Sequence, residues 1–259
     1  MNRIRMKSNV AEQELSLVDN KIVLEENDDI DLEYIGNDIR LVFDIRENTH
    51  INLSIFSIDN EVNVDNVYNI GSNASLNITK FYHNKKVCEK EVFNLNGENA
   101  KIEYHFANIA LGNENYDISI NHKANSTVSD IVDKTITIEE ASVNFNIDSN
   151  LQKKIENCIL NQESRIILLG DNCSSINPNM YINNNEVIAK HASVIGTFSF
   201  KDLFYLMTRG ISYEDSLKLL IKGFIFSSIS TNMEKRERIL KIINDYWRWK
   251  NEIRGFSNA

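Results

Sequence analysis

One proline and nine glycines serve all 259 residues of this chain. Sandwiches built from hairpins place Gly or Pro at their tight turns, so this scarcity counts against a hairpin architecture. Asn and Asp tolerate left-handed backbone better than other non-glycine residues, and 37 of the 259 residues are Asn. Cysteine is scarce as well. Cys88, Cys158 and Cys173 are odd in number and widely spaced, with no CxxC pair. That excludes a disulfide framework and points to a reducing cytoplasm. Sequons such as Asn77-Ile78-Thr79 then carry no meaning as glycan acceptors. No apolar run approaches the ~20 residues that span a bilayer. The basic stretch Met1–Lys7 lacks the apolar region of a secretory leader behind it.

Positive charge is in deficit. The formal net charge is −9, which argues against nucleic acid as the main partner, because binding to phosphates runs on clustered Lys and Arg. The phosphate-binding loop Gly-x4-Gly-Lys-(Ser/Thr), the dinucleotide fingerprint, the zinc-protease His-Glu-x-x-His and the hydrolase elbow Gly-x-Ser-x-Gly are all missing. Hydrolysis of ATP by the standard route is therefore excluded, and any ATP must be handled by another subunit.

What is present is alternation. From about Asp38 to Ile195 apolar residues recur at every second position, as in Ile51-Asn52-Leu53-Ser54-Ile55, Leu76-Asn77-Ile78 and Val143-Asn144-Phe145-Asn146-Ile147. Such a period describes half-buried strands. Short, evenly spaced strands fit a sandwich, a barrel or a solenoid. A right-handed parallel β-helix is preferred, because stacked rungs let Asn side chains ladder at the corners with few glycines. After Gly196 the period becomes helical. Ser199 and Ser212 each stand three residues before an Asp, a variant of the capping box. Leu203, Leu206 and Met207 stripe a first helix, Leu217 to Ile225 a second, and Ile239, Ile242, Ile243 and Tyr246 a third that begins near Asn232. The expected layout is mainly β: an N-terminal segment (1–37), a β-helix core (38–198) and a three-helix C-terminal module (199–259).

Several segments, in order, resemble the SufB/SufD family of iron–sulfur cluster assembly proteins. Asn185–Gly196 looks like the SufD signature, in which a final strand ends in His-(Gly/Ala) and a glycine follows five residues after the histidine. Leu203–Ser212 is similar, without a gap, to the family's Phe-Tyr-Leu-x-Ser-Arg-Gly-Ile stretch, and Gly223-Phe224 falls at its second-helix Gly-Phe. His122–Ser129, Lys134, Ala141 and Phe145 match a family rung, and Gln162, Arg165 and Ile167-Leu168-Leu169 match a later run. There are departures. Ser164 stands where SufB has a cysteine, Ala192 where it has a glutamate, and Ala189 where some SufD sequences have a cysteine. Leu169-Gly170-Asp171-Asn172-Cys173 instead resembles a SufB run.

The resemblance implies a cytoplasmic, non-enzymatic scaffold subunit. It would be either SufD-like or the single SufB-like subunit of a two-component system. It implies a SufC-type ABC ATPase docked on the C-terminal helices, a homodimer or a heterodimer with a paralogue through the last rungs (164–195), and a transient iron–sulfur cluster. His191, with Cys173, is the implied ligand pair, since imidazole and thiolate both suit iron. The plainer alternatives are a histidine that only hydrogen-bonds at the junction of strands and helices, and an inert small thiol. Cys88 and Cys158 match no ligand position, and His50, His83, His105 and His122 share no ligand spacing. Tyr246-Trp247-Arg248-Trp249 fits either an interface or a helix capping the β body. Two other classes compete with the scaffold. One is a β-helix carbohydrate-active enzyme using carboxylates such as Asp28-Asp29 or Glu139-Glu140. The other is a structural solenoid that only binds protein.

Overall fold

A computed structural model describes residues 3–7, 12–16, 20–34, 36–58 and 61–257, with side chains for 5–7, 20–34, 36–58 and 61–245. In chain order the strands are β1 (Arg3–Lys7), β2 (Glu12–Ser16), β3 (Lys21–Leu24), β4 (Asp28–Tyr34), β5 (Asp38–Ile45), β6 (His50–Ile58), β7 (Glu61–Ile70) and β8 (Ser75–His83). They continue as β9 (Lys86–Leu95), β10 (Lys101–Ala110), β11 (Asn113–His122), β12 (Val128–Thr137), β13 (Ser142–Leu151), β14 (Cys158–Leu168), β15 (Ser175–Tyr181) and β16 (Val187–Gly196). Even strands from β4 to β16 form one parallel sheet and odd strands from β3 to β15 the other. The chain thus alternates between two faces of a parallel β-solenoid of about six turns. Among the described residues the antiparallel pairs are β1 with β2 and β1 with β4, at the N-terminal edge. The sheets also take in β3 and β4, ahead of the start at residue 38 read from the sequence. In β3, Ile22 and Val23 sit side by side and blur the alternation, whereas β4 keeps it, with Ile30, Leu32 and Tyr34 buried.

Asparagine does replace glycine at the corners. Asn48, Asn73, Asn99 and Asn157 adopt φ between 55° and 59°. Asn99 donates to Asn73 (2.9 Å) and Asn73 to Asn48 (3.3 Å), so one corner stack is a hydrogen-bonded ladder. A longer ladder runs outside the odd-numbered sheet, from Asn150 through Asn121, Asn94 and Asn69 to Asp44, with spacings of 2.8–3.3 Å. Ser126, Glu139 and Lys154 also take positive φ, positions that the residue types do not announce. A glycine is kept where stacking demands it: a Cβ on Gly97 would lie 2.1 Å from the backbone N of Ser72.

Inward positions of the two sheets form one continuous core, in which Phe43, Tyr68 and Phe93 stack at centroid spacings of 4.9 and 4.7 Å. Stacked rings of this kind add to the area that they bury.

Three helices follow: α1 (Phe200–Thr208), α2 (Tyr213–Phe226) and α3 (Met233–Ser257). Ser199 Oγ accepts from Lys201 N and Ser212 Oγ from Asp215 N, the two caps expected, and Asn232 Oδ1 accepts from Lys235 N to cap the third helix. The helices lie on the outer face of the even-numbered sheet. There Phe56, Phe81, Ile109, Ile136 and Ile167 face outward and are buried by Leu217, Ile221, Phe224, Ile225, Ile239 and Ile243. The first turns of α3 return to the N-terminal strands. Lys235 Nζ reaches Asp31 (2.5 Å) and Ser54 (2.6 Å), and Arg238 reaches Glu33 (3.2 Å). The side chains of Tyr246, Trp247, Arg248 and Trp249 lie outside the described residues.

Candidate functional site at the open end of the solenoid

A solenoid's last rung has a neighbour on one side only. Here β16 pairs with β14 and forms the edge of its sheet. Its apolar residues are left bare: Ile188 is 55% exposed and Val194 54%. His191 is in register with Gln162 of β14. Beneath Gln162 the same column continues through Ile131, Tyr104, Ile78 and Leu53, all buried. In-register parallel strands turn matching residues to the same side, so His191 ends an interior column. It is nonetheless exposed, because no rung covers it.

The layer below His191 is polar. Gln162 Nε2 donates to Ser149 Oγ at 2.8 Å and, more weakly, to the Asn179 carbonyl at 3.5 Å. Gln162 Oε1 is buried with no hydrogen-bond partner. In the adjacent column Ser193 lies over Ser164, and Ser164 donates to Asp133. Burial raises the Asp133 carboxyl to about 7 against the pull of that bond. Residue types gave no sign of this layer. Gln162 and Ser164 entered the sequence argument only as points of likeness and difference, and Asp133 not at all. The clue was positional: the column that ends in His191 is readable only once rungs are aligned.

Cys173 is exposed in the corner that carries the chain from β14 into β15. Neighbouring Asn172 fixes that corner by donating to the carbonyls of Glu139 (3.3 Å) and Gly170 (3.4 Å). His191 stands five residues before the end of β16, roughly 16 Å along the strand. Both residues therefore belong to the last turn, one on a strand and the other in a corner. Among the described residues no group of three or more His, Cys, Asp or Glu side chains could hold a metal ion.

The remaining candidates have local explanations. Cys158 is buried and contacts Thr127 Oγ1 at 3.2 Å. Thr127 meets His122 Nδ1 at 2.8 Å, and His122 Nε2 meets Ser129 at 2.9 Å. Burial pushes His122 down to about 4, so it is a neutral corner residue near neutral pH. Cys88 is exposed on the outer face of β9. His50 meets Ser75 and His83 the Ile109 carbonyl, each at 2.8 Å, as separate contacts. The carboxylates Asp28-Asp29 lie on β4 and Glu139-Glu140 at the corner after β12, so they form no shared acid/base pair. Among the described residues no helix is long and apolar enough to cross a membrane.

A parallel solenoid with a helical layer on one face is the architecture expected from the sequence, and its last rung is open and bears His191. The family comparison agrees. The SufBD core domain of the SUF system for FeS cluster assembly matches residues 40–224, and the chain belongs to that family. Among curated relatives, the iron–sulfur cluster assembly protein SufD of Bacillus subtilis (strain 168) is 30% identical over 113 residues. That stretch is 43% of this chain and 26% of the relative. An iron–sulfur cluster assembly SufBD family protein of Staphylococcus aureus (strain USA300) is 31% identical over 105 residues, 40% of this chain and 23% of the relative. The matched stretch therefore spans about a quarter of the length of these relatives.

Proposed function

We propose that this chain is a cytoplasmic scaffold subunit on which iron–sulfur clusters are assembled, driven by a separate SufC-type ABC ATPase. The observation that carries this reading is the exposed His191 at the end of an interior column, on an edge strand lined with bare apolar residues. An edge strand of this kind invites pairing with another strand, and Ile188 and Val194 supply apolar area to bury. A second copy or a paralogue on β16 brings further ligands to His191, which compensates for having few in one chain. Cys173, on the same last turn, is the thiolate candidate. The nascent cluster is cargo in this scheme, and the chain itself catalyses no reaction.

His191→Ala is expected to cut the visible absorbance developed on anaerobic reconstitution with iron and sulfide by more than half, and Cys173→Ser to cut it less. Both variants keep the wild-type unfolding midpoint, because neither residue is in the core. Equal reconstitution of both variants and the wild type would move the site to the partner.

The ATPase is assigned to α1 and the start of α2. Phe200 is 78% exposed, Phe204 55% and Tyr205 58%, and Tyr213 is bare on the next helix. Removing the whole helical module would uncover Phe56, Phe81 and Ile136 and confuse the test, so point changes are preferable. Phe204→Ala with Tyr205→Ala is expected to weaken capture of a SufC-type ATPase at least tenfold in a pull-down. Undiminished capture would remove the helices from the interface.

A further inference from the structure

The buried oxygen under His191 lacks a partner, and the fold offers it one. Gln162 is only 3% exposed. Its carboxamide turns Nε2 toward the Asn179 carbonyl at 3.5 Å, an atom that can only accept. Oε1 is thereby left as an acceptor with no donor. A buried acceptor left unpaired is costly and calls for an explanation. The register neighbour on the inner side is Ile131, whose side chain has no donor. The neighbour on the outer side is His191, whose ring is exposed.

We infer that Gln162 is a positioning residue for His191: its Oε1 accepts the N–H of one imidazole nitrogen and leaves the other nitrogen, bare and outward-facing, at the open end of the solenoid. A neutral imidazole has one donor and one acceptor nitrogen, so fixing the donor selects the tautomer. Histidines that bind metal commonly donate their second N–H in this way, and the partner orients the ring. Ser149 holds the carboxamide at 2.8 Å from the opposite sheet, so Gln162 links the two faces of the last complete turn to the histidine. The inference rests on the reading of His191 as a ligand, but it concerns an atom of this chain that can be observed without iron.

The test is the tautomer of His191, read from long-range proton–nitrogen correlations of the ring in full-length, iron-free, nitrogen-labelled protein above pH 8. The wild type is expected to hold one tautomer in excess. Gln162→Met, similar in size but without the acceptor, is expected to reduce that excess at least threefold while His122 remains unchanged as an internal control. Ser149→Ala, which loosens the carboxamide but keeps Oε1, falls between the two and serves if the first variant folds poorly. Binding of Fe(II) by Gln162→Met weakens about 10-fold or more. An unchanged tautomer ratio in both variants overturns the inference, even if His191→Ala abolishes cluster uptake. A ratio that responds while His191→Ala takes up iron normally leaves the positioning intact and removes the ligand role.

Discussion

Lys80→Met is expected to lower the free energy of unfolding by about 3–5 kcal/mol, as for other buried ion pairs that lose one partner. Lys80 is fully buried in the column between Ile55 and Phe106. Its Nζ lies 3.1 Å from Glu89 and 2.5 Å from Glu91, both carboxylates being equally buried. Tyr82 donates to Glu89 at 2.6 Å and Tyr68 to Glu91 at 3.2 Å, while the rings of Tyr82 and Tyr104 stand 5.3 Å from the ammonium. Burial alone would pull the Lys80 ammonium down, but Glu89 and Glu91 outweigh it and hold it up. Without Lys80 two carboxyls share one dry site. Burial and the neighbouring Glu91 already raise Glu89, and losing the cation raises it further. The variant should therefore lose more stability near pH 8 than near pH 5, because at the lower pH Glu89 can take a proton. Urea unfolding at the two values measures this. Adding Glu89→Gln and Glu91→Gln to Lys80→Met should restore much of the loss, since an uncharged network carries less desolvation penalty. A single-variant loss below about 1 kcal/mol would mean that the triad is hydrated.

This triad also shows where alternation stops being a guide. The run Leu76-Asn77-Ile78-Thr79-Lys80-Phe81-Tyr82 begins in phase with its burial, with Leu76 and Ile78 inside. Lys80 then continues inward while Phe81 points outward, against residue type. The reason is tertiary: Phe81 is covered by the helical layer, and Lys80 meets Glu89 and Glu91 across the solenoid. Glu89-Lys90-Glu91 carries no hydrophobic signal at all, yet its two glutamates are inside. The β-solenoid was legible because most rungs keep the period of two and because Asn could serve the corners. The helical layer was legible from its caps and stripes. The phase of the polar interior was not, since it depends on partners one rung or one sheet away. The same holds for the site. Likeness to a family marked His191, but Ala189-Lys190-His191-Ala192-Ser193 has no pattern that tells inside from outside. Only the register with Gln162 supplies that.

Stability is expected to fall by roughly 3 kcal/mol between pH 6.5 and pH 8.5, the reverse of the usual rise out of acid. Three buried carboxyls set the direction: Glu89, Glu114 and Asp133. Burial raises Glu114 from 4.5 to about 8, although Tyr116 donates to it at 2.7 Å and Asn108 is also in contact. Burial likewise raises Asp133 from 3.8 to about 7. For a raised carboxyl the folded state holds a proton that the unfolded chain has already released. Its contribution is complete below the unfolded value and is lost as pH rises through the folded one. Asp133 is largely spent by pH 7.5, and Glu114 carries the decline to about pH 8.5. Other groups act elsewhere. His122, depressed to about 4, removes stability only as pH falls below about 6.5, where the unfolded chain takes up a proton. Asp44 is lowered by its bonds to Lys21 and Asn69, so its contribution disappears only in acid, as pH falls through its folded value. Glu89, raised to about 7 by burial and by Glu91, titrates in the same window, so three buried acids share the fall above pH 6.5. Glu114→Gln, which cannot ionise and keeps an acceptor for Tyr116, should remove about 2 kcal/mol of the decline. The measurement is the urea midpoint at half-unit steps across that window for both proteins. A wild-type profile that is flat or rising would show that Glu89, Glu114 and Asp133 ionise inside the solenoid at little cost, which requires water among the rungs.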